Sequence, residues 1–190
     1  MKMFRRIALL ETAALLLFGA ALRATSLARM SVAEMAHASS SIVRARCVSS
    51  SVRWEEGEIW TFTDFEIEES WKGAAAARTR FTVRLLGGRL GEITSRVSGV
   101  PQFRPGEDVV LFLEPAPRGN FNVVSWSQGT FRIRHDLRSG ADLITQDTAS
   151  IPVFDPAHRQ FRSIGISRLP LSAFRMQIIA AIAGDARSKQ

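Results

Sequence analysis

Apolar and polar residues alternate with a period of two through residues 42–73, and one turn signal, Glu55-Glu56-Gly57, interrupts them. That pattern predicts two long β-strands joined as a hairpin. In both arms the alternation changes phase. Val43, Ala45 and Cys47 share one side of the first arm, followed by Val48, Val52 and Trp54; in the second, Trp60 and Phe62 have one parity, Phe65 and Ile67 the other. A shift of one residue moves every later side chain to the opposite face, so a phase change inside a strand predicts a bulge or a sharp coil. Long, bulged strands are how a small barrel bends around its corners.

The rest of the chain supplies partners for this hairpin. Lys72-Gly73 ends the pattern, and residues 74–77 form a loose connection. Phe81, Val83 and Leu85 alternate with Thr82 and Arg84, which predicts a third strand with one face in water. Residues 87–106 contain five glycines and two prolines and are expected to be a long loop. Residues 108–113, DVVLFL, are a continuous apolar run, the mark of a strand buried on both faces. Residues 121–126 predict a further strand after the turn-forming stretch 115–120, and Phe131 and Ile133, alternating with Arg132 and Arg134, a sixth short one. Residues 137–146 and 151–166 each read as hairpins, with turns at Arg138-Ser139-Gly140 and Asp155-Pro156. There is no internal repeat.

Helical signals lie at the two ends. Ser31 and Glu34 have capping-box spacing, which predicts a short helix over 32–38. Near the C-terminus Ser172 is placed as an N-cap, with a Leu171–Met176 staple; Phe174, Ile178, Ala181 and Ile182 form one apolar stripe, and Gly184 is the expected stop. A helix of about three turns packed on the barrel follows from that stripe. Residues 1–26 have a basic start (Lys2, Arg5, Arg6), an apolar run broken by Glu11, and small residues around Ala20, Ala21 and Ala24. This is the plan of a secretory signal peptide, so an exported protein, periplasmic or extracellular, is expected; an uncleaved N-terminal anchor is the alternative. No transmembrane span is expected after signal cleavage.

The formal charge of +7 overstates the basicity of an exported form, because residues 1–26 carry a net +3. The remaining cations are almost all arginines scattered over alternating strand positions, as on a solvated face rather than in a nucleic-acid groove. The single cysteine, Cys47, excludes an intramolecular disulfide framework and any multi-cysteine metal site, and reads as a small buried hydrophobe. His37, His135 and His158 have no metal-ligand spacing. The stretch Gly87-Gly88-Arg89-Leu90-Gly91 lacks the lysine, the Ser/Thr and the following helix of a phosphate-binding loop. Glu66, Glu68 and Glu69 read as an exposed strand face rather than an acid–base pair. Trp54, Trp60, Trp71 and Trp126, with Phe62, Phe65, Phe103 and Phe121, are expected to fill the interior; facing outward, they would form a stacking platform. No cofactor and no metal are expected.

The residues that carry a family likeness are Ile42-Val43-Arg44-Ala45-Arg46 after a short helix, an alternating strand ending in Trp71-Lys72-Gly73, Leu85 to Gly91, Phe103-Arg104-Pro105-Gly106-Glu107-Asp108 leading into Val109 to Leu113, and Gln128-Gly129-Thr130-Phe131. Over residues 33–134 this run resembles the tissue-inhibitor-of-metalloproteinases-like (netrin-module) OB-fold domains, and exported bacterial proteins of that general type. The resemblance implies a mainly β protein built on an OB-type five-stranded barrel, with a short N-terminal helix, extra C-terminal hairpins and a terminal helix. Animal inhibitors of this type chelate the protease zinc through an N-terminal cysteine. None precedes the helix here, so no inhibitory residue carries over.

The expected organisation is a signal peptide (1–26), an OB-like barrel domain (31–134) and C-terminal hairpins with a packing helix (135–190). The expected function is that of a non-enzymatic binding or scaffold domain for a protein partner in the cell envelope or outside the cell, with Gly87, Arg89, Arg96, Phe103 and Arg104 as the candidate contact residues. Carbohydrate or single-stranded nucleic acid bound on the barrel face near Arg44, Arg46 and Arg84 is one alternative, nucleic acid being the poorer ligand for an exported protein. A hydrolase built from His135, Asp136 or His158 is the other.

Overall fold

The computed structural model describes residues 28–188 apart from 75, 151–152, 156 and 163–164. The expected signal peptide therefore lies outside the described residues. Among the described residues, twelve strands, β1–β12, and two α-helices, α1 (Val32–Ala38) and α2 (Leu171–Ser188), make a mainly β protein around one large sheet. Among the described residues no helix is long and apolar enough to cross a membrane.

The opening hairpin forms as the alternation predicts. β1 (Ser41–Glu55) and β2 (Glu58–Lys72) pair antiparallel across Glu56-Gly57, both at positive φ (55° and 84°). Two residues at positive φ match the right-handed twist of the arms they join. The register slips between Cys47 and Ser49, leaving Val48 as the extra residue of a bulge, where the phase changes in β1. In β2 the change at Phe62 and Phe65 has another cause. The ladder from Trp60 to Glu66 against β3 is regular, and apolar side chains lie on both faces.

β3 (Arg80–Leu86) pairs with β2, and β6 (Asp108–Pro115) pairs antiparallel with the first half of β1. β7 (Phe121–Val123) joins β6 on one side and meets β3 at the parallel pair Val83–Phe121. The pairings β1–β2–β3–β7–β6–β1 thus run in a closed circuit. β8 (Thr130–Asp136) pairs with β6, then β9 (Ala141–Gln146) and β12 (Leu169–Pro170) extend the sheet outward. β10 (Val153–Asp155) and β11 (Gln160–Arg162) form a separate hairpin on either side of the turn that follows Asp155.

β6 has partners on both edges and a core on both faces, as its continuous apolar run requires. Val109, Leu111 and Leu113 join Val43, Ala45, Cys47, Phe65, Ile67, Val83 and Leu85 inside the circuit. Val110 and Phe112 point the other way, into a second core with Met35, Ile42, Phe131, Ile144, Phe174 and Ile178. That second core is where the helices pack. Phe174 lies 4.5 Å from Phe131 and 6.4 Å from both Phe112 and Trp71, ring centre to ring centre.

Several of the motifs singled out in the sequence are joints of this scaffold. α1 has its capping box: the Glu34 amide donates to Ser31 Oγ, and the Ser31 amide to Glu34 Oε2. At its other end Lys72 Nζ donates to the carbonyls of Ala36 (2.7 Å), His37 (3.5 Å) and Ser39 (2.6 Å), a cation on the negative end of a helix dipole. Gly73, at φ +88°, lies so close to Ser41 that a Cβ would stand 2.6 Å from Ser41 Oγ. Cys47 N donates to the Glu107 carbonyl and Gly106 N to the Cys47 carbonyl, closing the 103–108 turn onto β1. Buried Gln128 accepts from the Met30 amide (2.8 Å) and donates to the Ala28 carbonyl (2.7 Å), pinning the segment that enters α1.

Several expectations need correction. The 87–106 stretch is not all loop, since β4 (Gly88–Leu90) and β5 (Ile93–Ser95) form a small hairpin within it. The strand expected over 121–126 ends at Val123, because Ser125 and Trp126 adopt positive φ and lead into a short 3-10 turn. The face of β3 expected in water is not wet at Arg84, which is 6% exposed with its guanidinium 3.9 Å from the centre of the Trp60 ring. The first expected hairpin has its turn as placed, but its arms are β8 and β9 rather than two strands within 137–146. α2 begins at Leu171 and continues past Gly184, so Ser172 is not its cap; Met176, 66% exposed, forms no staple. Phe174 and Ile178 are buried as the stripe predicts.

Candidate functional site

The candidate site is built where β3 gives way to β4. The Gly87 amide donates to the Ile59 carbonyl, and the Gly87 carbonyl accepts from Thr61 Oγ1 (2.7 Å), so the backbone hugs the start of β2. At Gly88 a Cβ would stand 2.5 Å from Thr61 Oγ1 and 2.9 Å from Val52 Cγ1. Two glycines are what allow the chain to lie flat there. β4 and β5 then form a small hairpin, the flap, with β4 beside β1 and β2, and residues 96–103 return to seat Phe103 edge-on against Phe65, 5.0 Å between centres.

A cleft of about 740 Å³ remains between these pieces. Ser50, Val52, Thr61 and Leu85 line it from the strands; the flap contributes Gly88, Arg89, Thr94 and Ser95; residues 96–103 complete the wall. The wall is anchored by Arg132. Its guanidinium donates to Asp147 through Nε (2.6 Å) and Nη2 (2.8 Å), to the Gln102 carbonyl through Nη2 (2.7 Å), and to Glu107 through Nη1. Burial works against its charge, but the bonds and charges of Asp147 and then Glu107 prevail and hold its pKa above the ordinary arginine value.

The electrostatics of the cleft differ from those of the outer face. Its lining holds Arg89, Arg96 and several hydroxyls, and no Asp or Glu. Among the described residues neither arginine has an ion pair; Arg89 Nε donates only to the Gly91 carbonyl (3.1 Å). On the outer face of β1, β2 and β3 four arginines are already matched. Arg44 faces Glu68, Glu69 and Asp142, Arg46 faces Glu68 and Asp108, Arg80 faces Glu66, and Arg84 faces Glu56. Glu66, Glu68 and Glu69 are thus half-buried ion-pair partners on a strand face rather than freely solvated groups.

Of the candidate contact residues, Gly87, Arg89, Arg96 and Phe103 all line the cleft. Phe103 is mostly buried and shapes the wall. Arg104 lies outside the lining, on the exposed turn where its amide donates to Glu107 Oε2 (3.1 Å). Sequence reasoning missed the hydroxyls of Ser50 and Thr61. Ser50 lies at the inward parity shared with Val52, a signal visible once the bulge at Val48 is known; Thr61, paired with Val52, has the parity of Phe65.

The other chemical candidates do not meet at the cleft. His135 Nδ1 pairs with Asp142 Oδ1 (3.0 Å) on the β8–β9 hairpin, and His158 Nδ1 with Asp155 Oδ2 (2.8 Å) on the β10–β11 hairpin. Asp136 instead accepts from Ser139 Oγ (2.8 Å) and the Arg138 amide, which hold its carboxyl below the usual range. Among the described residues no serine hydroxyl bonds either of those histidines, and no group of three or more His, Cys, Asp or Glu side chains is placed to hold a metal ion. Cys47 is buried, and burial followed by the charge of Glu107 pushes its thiol pKa up. The aromatic residues share no platform. Phe65, Phe81, Phe103 and Phe121 stack in and around the inner core, Phe62 lies under Arg53, Trp71 packs on Phe174, and Trp54 is exposed at the hairpin end. Comparison with protein-family models and with curated proteins finds no match to this chain.

Proposed function

We propose that this chain is an exported, non-enzymatic binding module on an OB-type barrel, similar in plan to the tissue-inhibitor-of-metalloproteinases-like domains, and that it takes a segment of a protein partner in the cleft of residues 87–103. The closed circuit of β1, β2, β3, β7 and β6 supports the barrel reading, and the composition of residues 1–26 supports export. The observation that carries the functional reading is the convergence of Arg89 and Arg96, both free of ion pairs, on one cleft without a carboxylate. Unspent cations beside a concave wall favour an acidic partner and steer its approach. The same bookkeeping weighs against nucleic acid on the outer face, where Arg44, Arg46 and Arg84 already face carboxylates.

The test is a photo-cross-linking residue introduced at Ser98, in the cleft, or at Thr82, on the outer face of β3, in cells that produce the protein. Adducts of defined mass from Ser98 and none from Thr82 are expected. Adducts from Thr82 alone, or equal capture at both positions, would move the partner site off the cleft.

A further inference from the structure

We infer that β5 receives an extended acidic peptide segment as an added strand, an assignment that rests on the cleft being the partner site. β4 and β5 form a two-stranded sheet of their own, and among the described residues no strand pairs with the outer edge of β5. An unpaired edge presents a row of backbone donors and acceptors ready for another chain. Protein edges are commonly blunted by proline, by charge or by a covering element. β5 (Ile93-Thr94-Ser95) has no proline and no charge, and Ile93 is 59% exposed.

Other edges are less suited. β12 is two residues long and ends in Pro170, which has no amide hydrogen to offer. β11 carries Arg162 on its own strand, while β5 is the edge whose residues Thr94 and Ser95 line the cleft. In strand addition, main-chain bonds supply affinity and flanking pockets read alternate side chains. Here the flanking wall offers Arg89 from β4 and Arg96 directly after β5, so acidic side chains at alternate positions of the incoming strand fit. A second copy of this chain fits poorly. An isologous contact through this face would set Arg89 and Arg96 against their own copies.

The experiment selects random dodecapeptides displayed on phage against the immobilised full chain at low salt. Enrichment of acidic peptides is expected. Synthetic copies should bind about tenfold more weakly to the Arg89→Glu, Arg96→Glu double variant. Methylating alternate backbone nitrogens along one edge of the peptide should weaken it by a similar factor, while the opposite edge tolerates methylation. The Thr94 amide, which the alternation of the β4–β5 pairing turns outward, should gain protection from hydrogen exchange. Acidic peptides that respond to charge reversal but tolerate methylation on both edges, and leave Thr94 unprotected, would overturn strand addition and leave the cleft reading standing. Enrichment of basic or neutral peptides, or of none, would overturn the inference, and the Ser98 cross-link would then decide the cleft reading by itself.

Discussion

Truncating Phe174 tests how α2 is held. Phe174 is fully buried, with its ring against Phe131 and within reach of Phe112 and Trp71. It therefore bridges α2 to β6, β8 and the end of β2. Phe174→Ala removes that ring from a site walled by strands that have little freedom to collapse, and buried Phe→Ala changes cost about 3–5 kcal/mol. At about 2–4 °C per kcal/mol for a chain of this size, the melting temperature should fall by roughly 6–20 °C. The assay is thermal unfolding followed by circular dichroism, with Met176→Ala as the control. Met176 lies on the same helix but is 66% exposed, and its truncation should change stability by about 0.5 kcal/mol or less. Equal losses from the two variants, or a Phe174→Ala loss of under about 1 kcal/mol, would refute the packing of α2 on the second core.

Three further changes probe the joints. Lys72→Met strips three carbonyls at the end of α1 of their cation and should cost roughly 1–2 kcal/mol, with faster amide exchange in α1. Gly73→Ala should cost about 1–3 kcal/mol, because φ is +88° and Ser41 Oγ occupies the Cβ space, whereas Gly57→Asn, at positive φ but in open space, should cost far less; chemical denaturation separates them. The Cys47 thiol should resist a disulfide reagent until the protein unfolds. Its pKa is raised in the fold, so the stabilisation from burying the neutral thiol is complete below the ordinary thiol value and is lost as pH rises through the raised one. Alkaline melts of Cys47→Ala against the parent should show that difference.

The parts of the fold legible in the sequence are those where one face or both faces are buried consistently. The 42–73 hairpin, the doubly buried β6 and the capping box all have patterns dictated by their surroundings. Misreadings occur where distant residues set the outcome. Arg84 occupies a position that alternation assigns to water, and only the Trp60 ring and Glu56 explain its burial. β4 and β5 are three residues each with none fully buried, too short to leave a period. At the site, the glycines and cations of 87–103 stand out because they break pattern. The inward hydroxyls do not: the side of Ser50 depends on a bulge whose register the partner strand determines, and Thr61 lies between Trp60 and Phe62, apolar residues that mark its position as the polar one.

The central claim is that the ion-pair-free arginines of the cleft bind the partner. It is tested most directly by the dissociation constant of the protein captured at Ser98, measured against the parent chain and the Arg89→Glu, Arg96→Glu double variant, with Arg44→Glu as the outer-face control. A loss of about tenfold or more in the double variant, equivalent to about 1.4 kcal/mol, and little change in the control are predicted. An unchanged affinity in the double variant, or a larger loss from Arg44→Glu, would contradict the account.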